Sequence, residues 1–118
     1  MKKETHSHPT PKGRAIWYTE RLWALARGLP VKRVPIDQIK EFDLNCWFGD
    51  EPPTCRQVAQ HAKKISEADL SFPVILSSGG RLMDGGHRIA KAWIAGETEV
   101  LALQFELDPE PDFYRHEK

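Results

Sequence analysis

MDGGHRIA, residues 83–90, is the most informative stretch of the chain. It follows a short apolar run, places two glycines in succession, and continues with apolar residues at helical spacing. Glycine lets the backbone adopt a positive φ and approach a ligand closely. The amide groups of a first helical turn have no intrahelical partner and favour an anion. The stretch therefore predicts a strand, a tight turn, and a helix whose start is suited to binding phosphate.

The patterns on either side of this stretch predict an α+β fold. A capping box at Thr54 and Gln57 starts one helix, and Gly79 and Gly80 form a hairpin turn between two short apolar runs. Residues 100–107 alternate, which predicts a strand with one buried face. We therefore expect a small mixed β-sheet packed with helices, with strands at 33–36, 73–77, 81–83 and 99–107 and helices at 54–66 and 86–95.

The length of 118 residues suits one domain, which we place at residues 14–108. Residues 1–13 are polar and rich in proline, so they are expected to form a disordered tail. Residues 109–118 are expected to form a solvated C-terminal tail. Apolar residues recur at helical spacing between Arg14 and Arg27, and Gly28 ends the pattern. This predicts an extra N-terminal helix whose Trp17 and Trp23 are available to a partner.

The net charge of zero hides an asymmetry along the chain. Up to Pro35 the sequence carries eight basic and two acidic residues, so the remainder is acidic. A domain dedicated to duplex DNA would be more basic overall, but nucleic-acid binding through the basic N-terminal third stays open. Two cysteines do not make a disulfide scaffold, and no apolar run is long enough to span a membrane. A soluble, cytoplasmic protein without a membrane partner is expected, and its oligomeric state is left open.

Residues 83–90 resemble the phosphate-binding box of the ParB/sulfiredoxin superfamily. Sulfiredoxins carry Gly-Cys-His-Arg at this place, and ParB partition proteins carry Gly-Glu-Arg-Arg. Gly85, His87 and Arg88 match the sulfiredoxin box, and the first and last of these match the ParB box. The runs Val34-Pro35-Ile36 and Pro73-Val74-Ile75 also resemble strands of the family. The resemblance implies a ParB/sulfiredoxin-like fold over roughly residues 33–107.

The resemblance further implies that Gly85, Gly86, His87 and Arg88 contact the phosphates of a nucleotide or another phosphorylated ligand. It does not support sulfinic acid reduction, because Gly86 stands where the sulfiredoxin cysteine lies. One alternative is a nucleotide-hydrolysing or nuclease-type enzyme, with Asp84 and His87 as acid/base candidates and a nucleoside triphosphate with Mg²⁺ as its requirement. A structural alternative is that the glycines form only a turn while Arg88 pairs with Asp84 or Glu97.

Four further residues are candidates for lining the ligand pocket: Trp47, Arg56, Gln57 and His61. The histidine lies at the edge of a predicted buried stripe, so a half-buried structural role is its alternative. The stripe itself consists of Val58, Ala59, Ala62 and Ile65. Cys46, Cys55, His61 and His87 are irregularly spaced and lack paired metal-ligand motifs, so no metal site is predicted.

Overall fold

The computed structural model describes residues 3–116, which form α-helices, β-strands and short 3₁₀ turns. The strands are β1 Thr5–Thr10, β2 Gly13–Tyr18, β3 Val31–Pro35, β4 Val74–Leu76, β5 Leu82–Asp84, β6 Glu99–Gln104 and β7 Phe113–Arg115. The helices are α1 Thr19–Ala26, α2 Cys55–Glu67 and α3 Gly86–Ile94, and 3₁₀ turns cover Ile36–Gln38 and Lys40–Asp43. None of the helices within residues 3–116 has the length and apolar character needed to cross a membrane.

Four strands form a central mixed sheet in the order β3-β6-β4-β5. β6 is antiparallel to β3 and parallel to β4, and β4 turns back antiparallel into β5. The short apolar strand β4 is buried throughout because it lies inside this sheet. The α+β class, the hairpin of β4 and β5, and the helix that follows it confirm the sequence predictions.

The central sheet is buried on both faces, whereas residues 100–107 predicted one buried and one mixed face. Val100 and Ala102 belong to a core with Ile89, while Leu103 and Phe105 belong to a second core. Leu107 was predicted on the buried face but lies beyond the strand and is 86% exposed. The second core exists because β2 and α1, which precede β3, pack against the central sheet.

The N-terminal region differs from the prediction. Residues 14–27 divide into strand β2 and the shorter helix α1, and the described part of the predicted tail contains β1, paired with β2 along its whole length. β7 pairs with the other edge of β2, so the predicted C-terminal tail also contains a strand. These three strands form a second sheet that the prediction of one sheet did not include. The tail positions 1–2 and 117–118 lie outside the described residues.

The two N-terminal tryptophans are used internally, which corrects their prediction as a partner surface. Trp17 is 4% exposed and its indole Nε1 donates to the carbonyl of Pro109 over 2.8 Å. Trp23 packs against the same core and donates to a carboxylate oxygen of Asp84 over 2.8 Å. The C-terminal segment therefore helps to hold β2 in the core.

Helix α2 begins as predicted but lies further from the core than predicted. The Oγ1 atom of Thr54 accepts the amide of Gln57 over 3.1 Å, and the Gln57 side chain accepts the amide of Thr54 over 2.8 Å. Val58 in the predicted buried stripe is nevertheless 50% exposed, and no residue of α2 is fully buried. The predicted stripe is wrong because α2 packs along α3 at the surface rather than over the central sheet.

Candidate functional site

The turn into α3 requires glycine at its first position. β5 ends at Asp84, and Gly85 follows with a φ of 116° as the residue that caps α3. A Cβ atom at Gly85 would lie 2.5 Å from Cγ1 of Val74 and 2.8 Å from Nη1 of Arg88. The backbone conformation and the close approach of β4 both exclude a side chain here. The tight turn predicted at residues 83–90 is confirmed.

Arg88 is built into the protein on the inner side of this turn. Its Nη1 donates to the carbonyl of Pro73 over 3.2 Å, and its Nη2 lies 3.7 Å from the carboxylate of Asp84. The guanidinium also lies over the ring of Trp23, 5.4 Å from the centroid. Of the two roles considered for Arg88, the structure displays pairing with Asp84. Oδ2 of Asp84 accepts from Trp23 and lies near Arg88, so this carboxylate oxygen has two partners within the fold.

A cluster of two histidines and two aromatic residues lies beside the start of α3. His61 Nδ1 and His87 Nε2 are 2.8 Å apart, which is hydrogen-bond distance, and we call these residues the histidine pair. The indole of Trp47 stacks on both rings, with centroids 4.5 Å from His87 and 4.8 Å from His61. Phe48 meets the ring of His61 edge-on at 5.1 Å. The cluster joins α2, α3 and the loop before α2.

The second glycine of the box makes room for this cluster. A Cβ atom at Gly86 would lie 3.2 Å from Nε1 of Trp47, so the indole packs directly against the start of α3. The loop that carries Trp47 is closed by Asn45, whose Oδ1 accepts the amide of Phe48 over 2.9 Å. The interruption of apolar periodicity at residues 44–53 therefore marks a loop that folds back onto the site.

Both members of the histidine pair have a pKa below the ordinary value. Burial is the main cause of the lowered pKa of His87, and His61, Lys64 and Arg88 lower it further while Asp84 opposes them. Burial also lowers the pKa of His61, with a contribution from Lys64. Near pH 7 the two rings are therefore mainly neutral, and one N–H donates to the other ring's lone pair.

An open groove of about 1140 Å³ runs from strand β1 to the start of α3. The predicted residues Trp47, Gly85, Gly86, His87 and Arg88 all line it. The predicted pocket residues Arg56 and Gln57 do not, because they lie on the exposed first turn of α2. The predicted pocket residue His61 is not part of the groove lining but contacts His87, which is.

The opposite side of the groove comes from residues that the sequence reasoning missed. His6 and His8 on β1 line it, as do Arg14 and Arg81. The Nε2 atom of His6 and the Nδ1 atom of His8 are buried without a hydrogen-bond partner among the described residues. The alternating polar and histidine pattern of residues 5–8 was the available signal, because it places both imidazoles on one face of a strand.

A smaller apolar cavity of about 200 Å³ lies behind Trp47. Phe42, Leu44, Leu82 and Ile89 contribute to its walls, and Gly86 and Trp47 separate it from the open groove. Within residues 3–116, no group of three or more histidine, cysteine or acidic residues is arranged to hold a metal ion. Cys46 and Cys55 are both free thiols, and burial raises the pKa of Cys46.

No protein-family model, curated protein or solved structure matches this chain. The candidate site consists of a glycine turn, the start of α3, the histidine pair under Trp47, and a groove that joins them to β1. The ParB/sulfiredoxin resemblance remains a prediction from residues 83–90. Over residues 3–116 the chain forms an α+β fold with two β-sheets and a groove between the N-terminal hairpin and α3.

Proposed function

We propose that the chain binds a nucleotide or another phosphoanion in the groove at the start of α3. The observation that carries the proposal is the convergence of the first turn of α3, Lys64 and Arg81 on one groove. Amide groups at a helix start point towards an anion, and cationic side chains supply the opposite charge. This is the ligand class that the Gly85-Gly86-His87 turn predicts from sequence.

Both basic and acidic side chains line the groove, and they differ in whether the fold already engages them. Asp84 accepts from Trp23, and Oε1 of Glu41 accepts the amide of Leu82 over 2.9 Å. Within the described residues, the side chains of Lys64 and Arg81 form no hydrogen bond or ion pair with another residue. The carboxylates of Asp84 and Glu41 are thus engaged by the fold, while the side chains of Lys64 and Arg81 are available to a ligand. Glu4, Glu67 and Asp69 also line the groove, so the proposed anion site is the part of it next to Lys64, Arg81 and the start of α3.

The magnitudes indicate a ligand larger than a single phosphate. A helix start contributes about 0.3–1 kcal/mol, or about 2 kcal/mol when partly buried. One charge-assisted hydrogen bond from Lys64 or Arg81 adds about 1.5–3 kcal/mol. Together these correspond to a dissociation constant in roughly the millimolar range. Because the groove extends well beyond the glycine turn, we propose a polyphosphate or nucleotide that makes additional contacts.

A thermal unfolding screen tests the proposal. ATP, CTP and inorganic tripolyphosphate, each with and without Mg²⁺, should raise the stability of the protein by about 2.7 kcal/mol at a hundredfold excess over the dissociation constant. Lys64→Ala should weaken binding by about ten-fold or more, because it removes a charged contact. Lys63→Ala is the matched control, since its neighbouring side chain lies outside the groove lining. No stabilisation by any of these compounds at millimolar concentration would remove the proposal.

A further inference from the structure

We propose that His87 is a phosphoryl acceptor, activated by His61, for the phosphorylated ligand of the groove. The inference rests on the proposed function for the ligand and on the histidine pair for the chemistry. It assigns an activity to the site: transfer of a phosphoryl group from a nucleoside triphosphate, or another phosphoryl donor, to an imidazole nitrogen of the protein.

The first argument is the hydrogen bond within the histidine pair. His61 Nδ1 lies 2.8 Å from His87 Nε2, within the distance expected between a nucleophile and the base that activates it. When the Nε2–H of His87 donates to His61, the Nδ1 atom of His87 carries a lone pair and no proton. This is the tautomer of the pair that the proposal uses, because it makes Nδ1 of His87 the nucleophilic nitrogen.

The second argument is the difference in position between the two rings. His87 lines the open groove, whereas His61, on α2, contacts His87 but is not part of the groove lining. The ring planes are fixed, because Trp47 stacks on both with interplanar angles of 8° and 12°. A ligand in the groove therefore meets His87, while His61 acts only through His87. These positions make His87 the acceptor and His61 the base.

The third argument is the protonation state. A histidine attacks phosphorus only when it is neutral, and burial lowers the pKa of both rings below the ordinary value. Lys64 and Arg88 add to this effect at His87, and the carboxylate of Asp84 opposes it. The neutral pair is consequently the main form at pH 7, so the lone pair is available without a further base.

The transfer balances without a redox partner. The lone pair of His87 Nδ1 attacks the terminal phosphorus of the donor and forms a P–N bond. The bond from phosphorus to the leaving group breaks, and the leaving group departs with its electron pair. The Nε2 proton of His87 passes along the hydrogen bond to Nδ1 of His61, which becomes an imidazolium. The phosphorylated ring of His87 is left with neutral imidazole nitrogens.

The experiment measures phosphohistidine directly. The full chain is incubated with phosphoramidate, which tests the nucleophile, and separately with γ-labelled ATP and Mg²⁺, which tests transfer from a nucleotide. We expect one acid-labile, alkali-stable phosphoryl group, located at His87 by ³¹P NMR and peptide mass spectrometry. His87→Gln retains an amide donor near the Nε2 position but has no nucleophilic nitrogen, so labelling should disappear while the thermal melt is retained. His116→Gln, which changes an exposed histidine outside the groove, should label normally.

The role of His61 is tested by His61→Asn. Asparagine keeps an acceptor oxygen near the position of Nδ1 but takes up no proton, so labelling of His87 should slow by about ten-fold. The pH dependence of the rate should then reflect the titration of His87 alone, because this ring must still be neutral to attack. An unchanged rate and pH profile in this variant would overturn the role of His61.

The outcomes separate this inference from the proposed function. Nucleotide stabilisation without acid-labile phosphate from either donor would overturn the acceptor role while leaving the binding function in place. Labelling of His6, His8 and His116 as fast as His87 would also overturn it, because no activation would then be present. If phosphoramidate labels His87 but no nucleotide binds, the acceptor role of His87 is supported and a nucleotide is excluded as its phosphoryl donor.

Discussion

Three glycines near the site differ in what an added side chain would meet. Gly79 has open space and no positive φ, Gly80 has open space with a φ of 87°, and Gly85 combines a φ of 116° with Val74 at 2.5 Å. Gly79→Ala should lower the free energy of unfolding by less than about 0.5 kcal/mol. Gly80→Ala should lower it by about 1–2 kcal/mol, because the positive φ strains the backbone of alanine. Gly85→Ala should lower it by about 3 kcal/mol or more, because the steric clash with Val74 adds to the backbone strain.

Urea unfolding of the three alanine variants measures this series. The open site at Gly80 is the control that separates backbone strain from crowding at Gly85. A Gly85→Ala variant as stable as Gly80→Ala would contradict the close packing of β4 against the turn.

Arg88 provides a second prediction at the scale of single residues. It bonds Pro73, pairs with Asp84 and lies over Trp23, so Arg88→Ala should lower the free energy of unfolding by about 1–3 kcal/mol. Its partial exposure of 22% keeps the expected value within this range because solvent screens the charge. Arg88→Lys should recover only part of the loss, since an ammonium replaces a planar fork.

A double-mutant cycle with Asp84→Asn checks that the loss at Arg88 comes from this pair. The coupling free energy should be at least about 0.5 kcal/mol for residues in one network. Unchanged stability of Arg88→Ala without ligand, together with lost nucleotide affinity, would instead show that Arg88 serves the ligand.

At the level of elements, the cap of α2 matters because the helix gains little from burial. No residue of α2 is fully buried, so its local contacts carry more of its stability than in a core helix. Thr54→Ala removes the acceptor for the amide of Gln57 and should cost about 0.5–2 kcal/mol. Ser66→Ala near the other end of α2 is the control and should have little effect. Equal effects of the two substitutions on urea unfolding would contradict the cap.

Local signals predicted elements well, and long-range packing explains what they missed. The capping box of α2, the β4–β5 hairpin and the turn at Gly85 depend on residues a few positions apart, so the sequence contained them. The exposure of Val58 depends instead on where α2 packs, which its periodicity does not contain. Residues 14–18 carry apolar side chains at a spacing compatible with either a helix or a strand, and pairing with β1 and β7 selects the strand.

The candidate site shows the same division at the scale of the molecule. The glycine turn and His87 were predicted from neighbouring residues, whereas the β1 side of the groove required strand pairing across the chain. The fold also pairs some of the basic residues in the N-terminal third with carboxylates. Lys3 lies 3.0 Å from Glu20 and Arg21 lies 3.3 Å from Asp112, so part of its charge is paired within the protein. This distribution favours the groove over a continuous basic arm as the place for the anion binding that we propose.

The pH dependence of global stability is the prediction that belongs to the whole fold. His6 lies on β1, and burial of its imidazole is the main reason why its pKa is lowered to about 4. The charges of His8 and Arg81 also lower this pKa, while those of Glu41 and Asp84 oppose the change. The unfolded chain, with a pKa near the ordinary 6.5, binds more protons than the folded protein between these two values. Stability is therefore complete above about pH 6.5 and falls as the pH decreases towards 4. The loss from His6 should reach about 3 kcal/mol, since each pKa unit corresponds to about 1.4 kcal/mol.

Chemical unfolding at pH 7 and at about pH 4.5 measures this loss and assigns it to His6. His6→Gln does not titrate, so its stability should decrease less than that of the unmodified protein over the same interval. His116→Gln, at an exposed position near the C-terminus, should retain the full decrease. His8, His61 and His87 also have lowered pKa values and act in the same direction, so some dependence on pH should persist in His6→Gln. An identical decrease in His6→Gln and the unmodified protein would show that β1 does not bury this imidazole in solution, and that the β1 side of the groove is not formed as described.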